Sequence, residues 1–225
     1  MFLRVAFLVL RKDLAIESKS WEILTTTLFF AVACVLIFAF AFVREGRAVE
    51  DAAAGILWIA IAFSGTLALG RTFERERYAE TLKALLLAPA PRPAIYTGKL
   101  LGIVAFLTAT EVLLVPLVAL LFSAPLFARP LLLVLLLFSG TVGFCAVGTL
   151  FSAMLVRSRT RDVMLPILLY PITIPVIIAG VRGTAALLAL PADEPTAVMW
   201  LAIVAAFDVV FITLSLWMFE PLMTE

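Results

Sequence analysis

A chain of 225 residues that is 64% hydrophobic, 15% charged and of mean hydropathy +1.16 carries more apolar side chains than a water-soluble core of that size encloses. Its net charge of +1 gives no general attraction to nucleic acid, so none is expected as a partner. Histidine is absent, and Cys34 and Cys145 each lie alone in an apolar run, so no bound metal is expected and both cysteines read as small hydrophobes.

Residues 1–225 read as a single all-α membrane domain. Apolar stretches at about 22–43, 52–70, 95–122, 130–156, 163–181 and 197–219 are expected to be six transmembrane helices, since about 20 apolar residues cross the hydrocarbon core. Solid runs of this length exclude a β-barrel, which alternates in segments of about 10 residues.

Residues 1–21 precede the first span. On a helix, Leu3, Phe7, Leu10, Leu14 and Trp21 share one side, and Arg4, Arg11 and Ser18 another. Arg11, Lys12, Asp13, Glu17 and Lys19 are too costly for hydrocarbon. The segment is therefore expected to be an amphipathic helix along the cytoplasmic interface, with Trp21 at headgroup level. Arg11, Lys12 and Asp13 stand where a signal peptide would have a cleavage site.

Between the second and third spans, residues 72–88 hold good helix formers without Gly or Pro. Glu74 with Arg77 and Glu80 with Lys83 are spaced for pairing, while Leu82, Leu85 and Leu86 form a short apolar face. A short cytoplasmic coupling helix is expected here, in preference to a solvated charged loop, and Pro89, Pro91 and Pro93 end it and lead to the third span.

Two acids lie deep in apolar runs, Glu111 in the third span and Asp208 in the sixth. An ionised carboxylate at mid-membrane costs at least about 2.5–3.5 kcal/mol, so each must face the bundle, a partner or water, or be protonated. For Glu111 a role in the substrate path and a plain hydrogen bond to a hydroxyl are both open, with Thr108 and Thr110 as nearby partners. Asp208 needs a partner from another helix.

The fourth span contains Gly140, Gly143 and Gly148 among Ser139, Thr141 and Ala146, a face suited to close packing on another helix of the chain or on a second copy. The fifth contains Pro166, Pro171 and Pro175, each of which frees an upstream carbonyl. A kinked helix packed inside the bundle is expected, its bends serving as hinges or as static features. The segment 182–196 is expected to be an outer loop, with Thr184 to Leu190 able to form a short surface helix.

Thirteen of the 17 Lys and Arg residues fall in the N-terminal segment, the second loop with its flanks and the fourth loop, against Arg44, Arg47, Arg129 and Arg182 elsewhere. That bias places the first group, and both termini, in the cytoplasm. Phosphate-binding Gly-x-x-x-x-Gly-Lys-Ser/Thr, Gly-x-Ser-x-Gly and His-Glu-x-x-His motifs are all missing, so no enzyme is expected and any motor belongs to a separate chain.

The layout resembles six-helix ABC-2 type permeases, and more narrowly the haem exporter protein B (CcmB) family of cytochrome c maturation. The resemblance rests on Arg11 to Leu14 with Glu17, Trp21 and Glu22, on Leu36 to Ala41, on Phe73 to Glu76 with Leu85 to Ala90, on Gly98 to Leu100, and on Leu165 to Val176. It spans nearly the whole chain, and order and spacing carry it.

The resemblance implies a permease subunit of a bacterial inner-membrane ABC transporter for cytochrome c biogenesis. Its work would be haem export or ATP-driven release of a haem-loaded chaperone. It implies partners: an ABC ATPase subunit, a second copy of the permease, a haem-handling membrane protein, a small one-helix protein and a periplasmic haem chaperone. Phe73, Glu74, Arg75, Glu76, Arg77, Glu80, Leu82 and Leu85 would then dock the ATPase. No cofactor is expected on this chain, with ATP and haem reaching it through partners, since no histidine offers an axial ligand. A permease for a lipid-linked or drug-like substrate and a non-transport scaffold are the alternatives.

Overall fold

The computed structural model describes residues 1–44, 47–48, 52–73 and 91–222. Helix α1 (Phe2–Ser20) precedes α2 (Glu22–Ala41). A short antiparallel pair, β1 (Val43–Arg44) with β2 (Arg47–Ala48), leads to α3 (Ala53–Arg71). Then follow α4 (Arg92–Phe122), α5 (Pro130–Met154), α6 (Arg161–Leu188) and α7 (Glu194–Leu222). Single 3-10 turns, Leu126–Ala128 and Leu155–Arg157, flank α5. Helices α2 to α7 are six helices long and apolar enough to cross a membrane.

Trp21 turns the chain between α1 and α2 in the left-handed region, with φ 53°. Its side chain offers no cap to α2, and Glu17 supplies one: Oε1 accepts the Leu24 N–H at 2.9 Å. A carboxylate there meets the positive end of the helix dipole. At α7, Asp193 accepts the Thr196 N–H at 3.1 Å. Hydrogen bonds from the Thr196 side chain and backbone hold the Asp193 carboxyl below its ordinary value.

The spans alternate in direction. Leu57 and Trp58 near the start of α3 cluster with Phe122 at the end of α4, Leu133 at the start of α5 and Leu187 at the end of α6. Leu69 and Phe73 at the other end of α3 cluster with Tyr96, Leu150, Leu165 and Phe219. Both termini therefore lie at one end of the bundle, the end that also carries the Lys- and Arg-rich segments. We call it the basic end. Helices α3 and α5 are the most enclosed, and α7 the least.

Close approach of the helices depends on small residues. The Trp58 indole lies between Gly140 of α5 and Gly180 of α6, where an added Cβ would come within 2.2 and 2.4 Å of the ring. Trp58 Nε1 donates to Thr184 Oγ1 at 2.9 Å, so the ring is both wedged and tethered. The glycine face of the fourth span thus packs within the chain, on α3 and α7.

Three expectations are corrected. Residues 182–188 continue α6 and are not an outer loop. Gly183 costs a helix interior about 1 kcal/mol, but Leu136 and Trp200 pack against it and Thr184 and Leu187 are buried. The helix expected to be packed inside the bundle buries one stripe only, Leu165, Leu169, Thr173 and Val176, while Pro171 and Pro175 are exposed and Pro166 half-buried. A proline ring is apolar and suits lipid, and the helix runs unbroken through all three. Finally, Pro93 lies in the first turn of α4, where its missing N–H costs nothing.

Candidate functional site

At the basic end, α1 is docked on α4. Ala6, Val9 and Glu17 are buried, while Leu3, Phe7, Leu14 and Trp21 stay exposed on another face. Gly98 makes the approach possible, because a Cβ there would meet Ala6 O and Val9 Cβ at 2.7 Å. One residue further, Lys99 is 2% exposed. Its Nζ lies 3.0 Å from Asp13 Oδ2 and donates to Thr72 O at 3.1 Å. It also stands 5.3 Å from the centre of the Phe73 ring, within cation–π range. A cavity of about 40 Å³ lies among Asp13, Glu17, Arg71, Thr72 and Lys99.

The end of α3 is held from other sides as well. Leu69 O accepts from Ser152 Oγ at 3.0 Å and from Arg161 Nη2 at 3.1 Å. Arg71 pairs with Glu22 at the start of α2. Phe73, the first of the sequence-predicted docking residues, is fully buried under Lys99. The others, Glu74, Arg75, Glu76, Arg77, Glu80, Leu82 and Leu85, lie outside the described residues, as does most of the expected 72–88 helix.

Both intramembrane acids meet α5. Asp208 of α7 accepts from Ser139 Oγ at 2.7 Å, and its Oδ1 packs against Gly143. Glu111 of α4 accepts from Thr141 Oγ1, two residues on and so about half a turn round α5. The local partners expected for Glu111 are not used: Thr110 donates back to Phe106 O, and Thr108 Oγ1 bonds to none of the described residues. Thr108 and Glu111 line a cavity of about 310 Å³ between α4 and α5, with Val115, Leu133, Leu137 and Phe138 among its apolar walls. Among the described residues no cluster of Cys, Asp and Glu is placed to hold a metal.

Reading the sequence missed the pairing of Lys99 with Asp13 and the grip of Ser152 and Arg161 on Leu69. The available signal was positional: Lys99 and Arg161 border apolar stretches, where a cation needs a partner.

Over residues 4–221 the sequence matches the family described as CcmB protein. It is 31% identical over 178 residues to heme exporter protein B of Paracoccus denitrificans, covering 77% of this chain and 78% of that one. It is 27% identical over 170 residues to heme exporter protein B of Haemophilus influenzae, covering 76% of each. With the protein of that name from Escherichia coli K12 it shares 30% identity over 94 residues, 42% of this chain and 43% of the other. A match over this span makes the chain a member of the CcmB family.

Proposed function

We propose that this chain is the membrane permease subunit of a haem exporter serving cytochrome c maturation, a multi-pass protein of the bacterial inner membrane. Family membership over residues 4–221, with relatives named heme exporter protein B, carries the reading. The six spanning helices support it.

The chain does not catalyse a reaction itself. ATP is hydrolysed by a separate ABC ATPase subunit, which docks on the segment from Glu74 to Leu85 that follows α3, beyond the buried Phe73. A second copy of the permease completes the membrane core. A haem-handling membrane protein, a small one-helix protein and a periplasmic haem chaperone act with it. Haem is the substrate of the system and is held by a partner, because this chain has no histidine to serve as axial ligand. The permease supplies movement, and ATP-driven release of the haem-loaded chaperone is the step that uses it. The positive-inside bias puts the basic end and both termini in the cytoplasm. Helix α1 then lies at that interface with Leu3, Phe7, Leu14 and Trp21 toward lipid.

The variant Glu74→Ala with Glu76→Ala tests the docking. It is expected to insert normally but to lower c-type cytochrome content and recovery of the ATPase in mild detergent. Unchanged cytochromes would sink the docking assignment. ATP hydrolysis indifferent to these changes would favour a passive scaffold.

A further inference from the structure

The last carbonyls of a helix have no intrahelical donors and carry partial negative charge. At a membrane surface water satisfies them without burying any charge. At the end of α3 the Thr72 N–H reaches Leu69 O at 3.2 Å, and buried cations add to that bond. Lys99 of α4 reaches Thr72 O, and Arg161 of α6 reaches Leu69 O, and both side chains are at most 3% exposed. Ser152 of α5 shares Leu69 O. Lys99 extends the connection to Asp13 of α1, whose helix seats on Gly98. Four helices are thereby tied to two carbonyls just before Phe73.

A buried cation that loses a partner is left with its desolvation cost, so a joint made of such groups resists partial opening. A helix end solvated by water bends freely. An end held by donors from three helices moves only if those donors move with it.

We propose that Lys99 is a positioning residue of a clamp. With Ser152 and Arg161 it grips the carbonyl end of α3, so that a displacement applied beyond Phe73 shifts α1, α4, α5 and α6 together and does not merely bend α3. The inference rests on the docking reading above and assigns the residue through which docking movement enters the bundle.

The test uses the full chain co-expressed with its ATPase and the rest of the maturation system. It measures mature c-type cytochrome formed per ATP hydrolysed, together with the amount of inserted chain and retained ATPase. Lys99→Met keeps the stem and removes the charge. It is expected to insert, retain the ATPase and hydrolyse ATP, while cytochrome per ATP falls about tenfold, the range of ordinary coupling between sites. Lys99→Arg keeps a charged donor and is expected to restore much of the yield. The exchange Asp13→Lys with Lys99→Asp restores opposite charge between α1 and α4 but places an acceptor against Thr72 O, so its yield is expected to stay low.

Unchanged yield per ATP in Lys99→Met overturns the clamp. So does full recovery by the exchange, which would leave pairing with α1 as the whole effect. If Lys99→Met does not accumulate, Ser152→Ala with Arg161→Gln loads the same joint from the other side, and a normal yield there overturns it. Failure of the unsubstituted chain to retain any ATPase overturns the permease reading itself, which separates the two outcomes.

Discussion

Glu111 and Asp208 hang on two hydroxyls of one helix, Thr141 and Ser139. A buried carboxyl that loses its hydroxyl donor is left with the desolvation cost of an unpaired polar group, about 1–3 kcal/mol. Thr141→Val is therefore expected to lower stability in micelles by that much, read as a lower denaturation midpoint. Combining it with Glu111→Leu removes both partners and is expected to return stability to within about 1 kcal/mol of the original. A double variant no better than the single would show that Glu111 is held by something other than Thr141. Cytochrome formation in the stable double variant then separates a structural carboxyl from one in a substrate path. The sequence made these acids visible, because carboxyls are rare in hydrocarbon. It could not name their partners: Thr141 stands 30 positions from Glu111, and Ser139 stands 69 from Asp208.

Among the elements, the contact of α3, α5 and α6 around Trp58 is the tightest to argue. Trp58 is 2% exposed, bonded to Thr184 and faced by two glycines. A methyl at Gly140 would stand 2.2 Å from Trp58 Cη2, and the tethered ring has nowhere to go. Gly140→Ala is expected to cost about 1–3 kcal/mol, as overpacking does. It should appear as a lower thermal midpoint in detergent, partly recovered by adding Trp58→Phe. A midpoint unmoved by Gly140→Ala would mean that the ring has room it does not show. The glycine face of α5 was legible as a packing face, while its partner was open between this chain and a second copy. The extension of α6 through Arg182 was not legible, because a glycine beside a charge reads locally as a helix end, and only the burial of Thr184 and Leu187 offsets it. The outward face of α6, which carries Pro171 and Pro175, was not legible for a related reason. Periodicity gives their common face but not which face meets lipid.

For the whole molecule, six alternating spans bring both termini and the Lys- and Arg-rich segments to one end. Orientation is testable in a Cys34→Ala, Cys145→Ala background. Leu190→Cys, between α6 and α7, is expected to react with a membrane-impermeant maleimide from the periplasmic side, and Thr160→Cys only after lysis. The reverse pattern would invert the basic end and with it the docking side. The sequence by itself determined the membrane location, the six spans and the family, because transfer to hydrocarbon is a sum over each segment's own residues and needs no knowledge of neighbours. It also marked the basic residues and the two intramembrane acids. Only the tertiary structure decided what those groups hold. Lys99 meets Asp13 and Thr72 O, Arg161 and Ser152 meet Leu69 O, and Trp58 meets Thr184 across 126 positions of chain. Such partnerships depend on which helices lie side by side, and many arrangements of six apolar helices satisfy the same hydropathy. Small residues and buried polar bonds select one of them, since each requires a matching surface on a segment far away in the chain.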